Sequence, residues 1–308
     1  MQKIGVIYNP NAGANKYHPE RKANLEKILG TRGILRETLQ KDNLERVLQE
    51  LHDEKIDILA MSGGDGTNQC VLTKLCNIYR QEPLPHILLL RGGTMNLLET
   101  SLKMYGTPEE RLYRMVQYLQ TGEYPLISHT LLQVNHKFGF IFGNGVVANF
   151  MREYYQGGKT GALKIIKMLC KIVTSTITGN RYVRKLFHPI RARVQVGQER
   201  LPQTEFTGIM AATEPECGLG FKPFYRAREE QGKLHFLAFR MTPGELIKNL
   251  FRIWMGKKLN SKCVYDLVTD KVVIQPFDPN CYTVDGEMLN CTKRIELSPG
   301  PIAQVVAI

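Results

Sequence analysis

The sequence is poor in most of the features that would settle its class at once. Of 308 residues one is Trp and 8% are aromatic, too few to suggest a platform on which nucleic-acid bases stack. No apolar run approaches the roughly 20 residues that a membrane span needs. The seven cysteines, at 70, 76, 170, 217, 263, 281 and 291, form no CxxC pair. Their odd number argues against a complete disulfide framework, and they read as isolated thiols of a reducing cytosol. The opening "MQKIGVIYNP" reads as a strand entering a turn, without signal-peptide architecture. There is no convincing internal repeat and no low-complexity stretch. Acids are also scarce beside bases: 29 Asp and Glu against 41 Lys and Arg give a formal charge of +12. That balance favours an anionic partner, whether a phosphate-bearing ligand, an acidic membrane surface or nucleic acid.

What is present is an ordered alternation. "IGVIY" is a short apolar run stopped by "NPNAG", which has the Asn-Pro and Gly of a turn. Leu44, Val47, Leu48 and Leu51 recur at helical spacing, as do Leu112, Met115, Val116 and Leu119. "IDILAM" and "HILLL" have the form of strands buried on both faces. Strands alternating with helices predict βαβ units and a mostly parallel sheet, with ligands at the carboxyl ends of its strands. "NPNAG", "GGDGT" and "GGTMN" would fall there. After about residue 125 the pattern becomes alternating and β-rich, with helices expected at about 160–177 and 244–256. The expected fold class is therefore α/β, with a parallel-sheet domain over 1–126 and a β-rich domain over 127–308.

In "SGGDGTNQCV" three glycines would let backbone N–H groups approach an anion, and Val71, Leu72, Leu75 and Tyr79 mark a helix beginning just past the loop. An acid inside a phosphate cradle repels phosphate unless it binds a metal or takes a proton. Asp65 therefore suggests Mg²⁺ or proton-transfer chemistry; the alternative is a tight turn with a capping Asp.

The loop has companions. "YNPNAG" (8–13), "GGDGTN" (63–68), "GGTMN" (92–96) and "VDGE" (284–287) occur in this order, and the set resembles the diacylglycerol kinase catalytic-domain family, which includes bacterial lipid kinases and sphingosine kinases. The resemblance covers essentially the whole chain. It implies a nucleotide-binding domain similar to those of NAD kinases and diacylglycerol kinases, a β-sandwich domain, an active site in the cleft between them, and the C-terminal tail packing back on the first domain. It implies transfer of the γ-phosphate of ATP to a lipid hydroxyl, with Mg²⁺. By position, Asn9, Pro10, Asn11, Ala12, Gly13 and Thr38 resemble nucleotide-contacting residues. Gly63, Gly64, Asp65, Gly66 and Thr67 would cradle phosphates, and Thr94 and Asn96 would complete the pocket. Asp65 would act near Mg²⁺, directly or through water, or as a base. Glu287 resembles a general base toward the acceptor hydroxyl, with Asp285 supporting it. Phosphoryl transfer needs mainly positioning and charge neutralisation, so such a set is chemically sufficient.

Four positions depart from the family pattern: Arg91 stands for a Pro, Leu97 for an Asp, Gln69 for a Glu, and Gln231 for an Asp that helps hold a structural Mg²⁺. The loss of charge at Gln231 weakens that metal position.

The basic excess is concentrated. Between Arg152 and Arg193 ten residues are basic and only Glu153 is acidic. Leu163, Ile166, Cys170, Val173 and Ile177 form an apolar stripe beside Lys164, Lys167 and Lys171; Leu246, Ile247, Leu250, Phe251 and Trp254 form another beside Lys248, Arg252, Lys257 and Lys258. Basic amphipathic helices suit an anionic bilayer surface, although such helices also pack on a core and leave their charges in water. The leading expectation is a cytoplasmic lipid kinase peripherally associated with the inner membrane face, its partners being ATP, a lipid substrate and an anionic membrane. A nucleotide-binding relative without kinase activity comes second and a soluble NAD kinase third. Nucleic acid is not expected, because no binding module accompanies the charge.

Overall fold

The computed structural model describes residues 2–38, 43–80, 82–93, 105–157, 161–217, 219–291 and 293–308, with the backbone alone at Asp65. The expected Thr94, Asn96 and Leu97 lie outside these residues. The chain divides into two compact units, one of residues 1–129 and 301–308, the other of residues 130–300.

The first unit is the predicted parallel sheet. Its elements run β1 (Ile4–Tyr8), α1 (Arg21–Leu29), β2 (Gly33–Glu37), α2 (Asn43–Asp53), β3 (Ile58–Gly63), α3 (Asp65–Tyr79), β4 (His86–Arg91) and α4 (Pro108–Thr121). The strand order is β2-β1-β3-β4, all parallel. β1 and β3 are buried at every position, as continuous apolar runs require. Leu44, Val47, Leu48 and Leu51 of α2 and Val71, Leu72, Leu75 and Tyr79 of α3 are buried, as their spacing predicts. α4 starts on a capping box, Thr107 accepting from the Glu110 N–H while the Glu110 carboxylate accepts from the Thr107 N–H. Because β2 and β3 lie on opposite sides of β1, the chain reverses direction across the sheet between them. The loops after β1 and β3 therefore open side by side at the carboxyl ends, the place where such sheets bind ligands.

The second unit is antiparallel. β5 (Leu126–Val134) leads in from the first unit. It is followed by β6 (Lys137–Gly139), β7 (Ile141–Gly145), α5 (Val146–Tyr155), α6 (Ala162–Thr178) and α7 (Arg181–Leu186). Then come β8 (Ile190–Val196), β9 (Glu199–Arg200), β10 (Glu205–Phe206), β11 (Gly208–Ala212), β12 (Leu234–Phe239) and α8 (Pro243–Trp254). β13 (Val264–Thr269), β14 (Val272–Pro276), β15 (Asn280–Val284), β16 (Glu287–Cys291) and β17 (Ile295–Val306) complete it, the last turn of β17 belonging to the first unit, where Val305 pairs with Ile87. One sheet has the order β13-β12-β11-β7-β15-β16, and β10, β8, β14 and the start of β17 form another. Phe142, Phe236 and Val284 of the first meet Val194, Ile274 and Leu297 of the second in one core, the sandwich expected of this half. α6 and α8 match the two helices expected from the sequence; α5 and α7 fall in stretches that read as β-rich or loop.

Candidate functional site

In the first unit, parallel register brings three loops together. Tyr8 lies opposite Ser62, Ser62 opposite Leu90, and Gly63 opposite Arg91. The loop after β1 is sewn to the loop after β3: the Asn9 N–H donates to the Ser62 carbonyl at 2.9 Å, and Asn9 Nδ2 donates to Thr67 Oγ1 at 2.9 Å. The Asn9 side chain also accepts from the Asn11 N–H at 2.9 Å, fixing the turn through Pro10. The loop after β4 joins through the Gly92 N–H to the Gly63 carbonyl at 3.0 Å, and its Gly92 carbonyl accepts from the Ala14 N–H at 2.9 Å. Thr38 closes the fourth side: buried, it donates its N–H to the Tyr8 carbonyl at 2.9 Å and its hydroxyl to the same oxygen at 3.4 Å.

A buried residue that sequence reasoning overlooked ties these loops together. Asn15 is 2% exposed, and its Nδ2 donates to the Asn9 carbonyl at 2.8 Å and the Ser62 carbonyl at 3.2 Å. Its Oδ1 accepts from Arg21 Nη1 at 2.9 Å, and Arg21 Nε in turn reaches Glu109 at 3.3 Å. Two glycines have no alternative here. A Cβ on Gly63 would lie 2.5 Å from the Thr67 Cβ, and one on Gly92 would lie 2.8 Å from both Asn15 Nδ2 and the Gly63 nitrogen. Around Gly66 a Cβ would meet nothing within 4 Å among the described residues. The first turn of α3 begins at Gly64 with no side-chain cap, leaving first-turn amides for an anion. Gly13 and Ala12 complete the β1 loop, the Ala12 N–H donating to the Asn9 carbonyl at 3.2 Å. Gln69 is 1% exposed, and its Nε2 donates to Thr73 Oγ1 at 3.2 Å along α3.

In the second unit, "VDGE" is a hairpin turn. Val284 pairs with Glu287 across β15 and β16, and the two residues between, Asp285 and Gly286, have φ of 47° and 89°. Both central residues at positive φ make the turn type that Asp-Gly favours. The Asp285 carboxylate accepts from the Phe140 N–H at 3.0 Å and the Ile141 N–H at 2.8 Å, while its own N–H donates to the Ile141 carbonyl at 2.9 Å. That acid clamps the turn to the β6–β7 connection. Glu287 stands half-buried at the first paired position beyond it. Met151 and Tyr155 of α5 crowd the turn; a Cβ on Gly286 would lie 2.9 Å from the Tyr155 hydroxyl.

The residues around Gln231 do not fit a structural divalent cation. Gln231 is neutral and exposed, and its acidic neighbours are already paired, Glu229 with Arg226 through two hydrogen bonds of 2.6 and 3.0 Å and Glu230 with Lys233. Arg226 also reaches the buried Asp266 carboxylate at 3.4 Å, which His235 Nε2 and the Tyr225 hydroxyl approach at 2.9 and 2.7 Å. Burial alone would raise the Asp266 carboxyl; these hydrogen bonds outweigh it and hold it down at about 2. Among the described residues no three His, Cys, Asp or Glu converge as a metal site.

Residues 3–122 match the family model of the diacylglycerol kinase catalytic domain. The first unit carries that domain. The matched stretch takes in the motifs at 8–13, 63–68 and 92–96, as the resemblance read from the sequence implies. No curated protein matches the chain. Among solved structures, the chain is similar to a candidate diacylglycerol kinase from Bacillus anthracis str. Sterne at a TM-score of 0.73 and 18% identity, with 100% of this chain and 97% of that one covered. A diacylglycerol kinase of the same organism gives 0.68 at 16% identity over the same shares. At these identities the likeness establishes the fold, across both units.

Proposed function

We propose that the chain is an ATP-dependent lipid kinase, passing the γ-phosphate of ATP to a lipid hydroxyl at an anionic membrane surface on the cytoplasmic side. The observation that carries this reading is the convergence of three glycine loops on an uncapped helix N-terminus within a diacylglycerol kinase catalytic domain. The loops at Asn9–Gly13 and Gly63–Thr67, with Thr38, Thr94 and Asn96, would hold the nucleotide. Asp65 would serve the metal, Mg²⁺, or the proton, and Glu287 would take the proton of the acceptor hydroxyl. Asp285 would support Glu287 through the turn it clamps, its carboxylate accepting the Phe140 and Ile141 N–H groups. Catalysis of this kind needs little more than positioning and neutralised charge.

Incubation with γ-labelled ATP, Mg²⁺ and a panel of lipids in vesicles tests the proposal: diacylglycerol, monoacylglycerol, a sphingoid base, phosphatidylglycerol and an undecaprenyl-type alcohol. A labelled lipid is expected. Nucleotide binding without any labelled lipid would assign the chain to the binding relatives that lack turnover, and labelled NADP from NAD would make it a NAD kinase.

A further inference from the structure

Two helices of the second unit are apolar on more than the face they bury. α6 packs inward through Met168 and Ile172, with Leu169 partly buried, and α8 through Leu246, Ile247 and Ile253; Ile172 and these α8 residues share one apolar cluster. The row on α6 that hydrophobic spacing selects as its apolar stripe is the one left outside. Leu163 is 75% exposed, Ile166 49% and Ile177 81%, with Cys170 exposed between them. On α8 the expected stripe divides: Leu246 and Ile247 turn inward, while Phe251 at 67%, Trp254 at 53% and the following Met255 at 44% stay outside. Phe251 and Trp254 stack on each other with ring centroids 6.1 Å apart. Single exposed apolar residues are ordinary; a row along one helix beside an aromatic pair on its neighbour marks a binding face.

The charge around this face selects its occupant. Lys167, Lys248, Lys257 and Lys258 are exposed beside it. α6 contains no acid, and the one acid of α8, Glu245, is held in its N-terminal capping box with Thr242. A second copy of this chain would bring lysines against lysines. An anionic bilayer satisfies both halves, taking the apolar side chains at the headgroup boundary and the lysines at its phosphates.

We infer that the outward faces of α6 and α8 form an interfacial docking surface for anionic bilayers, lying in the plane of the headgroups. This inference names the docking face for the membrane action proposed above and rests on that reading for its biological sense, but its test is separate. Sedimentation with phosphatidylglycerol-containing vesicles should capture the protein, and phosphatidylcholine vesicles should capture much less. Ile166→Glu with Ile177→Glu should weaken capture at least tenfold. Lys257→Ala with Lys258→Ala should weaken it by up to about fivefold for each lysine, in low salt only. All four side chains are exposed, so a circular-dichroism melt matching the unaltered protein certifies the variants. Trp254 emission should shift to the blue with the anionic vesicles. Capture that ignores headgroup charge, or that survives the Ile166/Ile177 change, overturns the inference. So does a dimer in sedimentation velocity that the same change dissociates. Phosphorylation of short-chain, monomeric forms of the five acceptors named above separates the two readings. Vesicle capture without that activity leaves the docking face standing and sinks the kinase; that activity without vesicle capture does the reverse.

Discussion

The two units build their candidate sites from turns, and they use charge in opposite ways. In the first unit the loops after β1, β3 and β4 are tied by neutral groups: the side chains of Asn9 and Asn15, the Ser62 carbonyl and backbone amides. Among the described residues the charged pair Arg21–Glu109 reaches them through Asn15, whose Oδ1 accepts from Arg21. In the second unit the Asp-Gly turn is clamped by a carboxylate that accepts backbone N–H groups. A neutral scaffold leaves the field of a helix N-terminus undiluted for an anion, whereas a charged clamp commits one acid so that the next, Glu287, is presented from a rigid hairpin. Two acids two positions apart thus differ in setting, and on the proposed reading "DGE" holds one structural and one chemical carboxylate.

The comparison breaks most sharply at Asp65, the one acid among the glycine loops. Asp65→Asn should abolish detectable lipid phosphorylation, measured with γ-labelled ATP, while the thermal midpoint stays within a few degrees. A variant that keeps most of its turnover would make Asp65 a capping residue.

Glu287 and Asp285 come next, and their substitutions should differ in kind. Glu287→Gln should lower kcat by roughly 10²-fold, the loss expected of a general base, with nucleotide affinity nearly unchanged. Asp285→Ala leaves the Phe140 and Ile141 amides without their acceptor, and hydrogen bonds to a charged group contribute about 1.5–3 kcal/mol each. Its turnover should therefore fall together with a Tm lower by about 5 °C or more. Lost turnover in Asp285→Ala at an unchanged Tm would move Asp285 into the chemistry and end the distinction between the two acids.

A smaller effect should follow from charging the neutral scaffold. Asn15→Asp keeps the acceptor for Arg21 but turns a carboxylate oxygen toward the carbonyls of Asn9 and Ser62, where Nδ2 now donates. Nucleotide affinity, read by titration calorimetry, should drop about tenfold, the equivalent of one hydrogen bond replaced by a repulsion. An unchanged affinity would show that the three loops hold their places without Asn15.

Much of this was legible before the fold was known. α2, α3 and α4 were readable because apolar residues occupy one face of each and polar ones the other, so periodicity and burial coincide. α6 was readable as a helix but not as to which side packs. Leu163, Ile166, Cys170, Val173 and Ile177 are spaced for burial, yet the core takes Met168, Ile172 and Ser175. A helix apolar on most of its circumference leaves that choice to its neighbours. The glycine loops announced themselves through composition. Asn15 and Ser62 did not, because a polar residue 47 positions from its partner becomes buried only when β1 and β3 pair. The clamp role of Asp285 needed the β6–β7 connection, 144 residues away, to be seen. Gln231 was readable as a lost metal ligand; that Arg226 and Lys233 already pair with the neighbouring acids was not.

That last pairing allows the smallest of the expected effects to be argued in full. In the loop at 226–233 one arginine, Arg226, and one lysine, Lys233, supply the positive charge beside Glu229 and Glu230. Mg²⁺ should therefore add little to the stability of this loop in the unaltered protein. Gln231→Asp restores a carboxylate on an exposed position, next to two others, and makes a cation competitive with Arg226 and Lys233. A ligand that binds only the folded state at ten times its dissociation constant stabilises by about 1.4 kcal/mol. For a unit of this size that corresponds to a Tm rise of about 4 °C on adding Mg²⁺. The comparison must be between variant and unaltered protein at the same Mg²⁺, because a metal bound near Asp65 would raise both alike. Calcium should give a similar difference and sodium at equal ionic strength none, since screening alone is not coordination. Equal Mg²⁺ responses in the two proteins would mean that Arg226 and Lys233 hold the loop even against a third carboxylate. A larger response in the unaltered protein would mean that backbone carbonyls already bind a cation there, and that the loop's own basic residues are not its substitute.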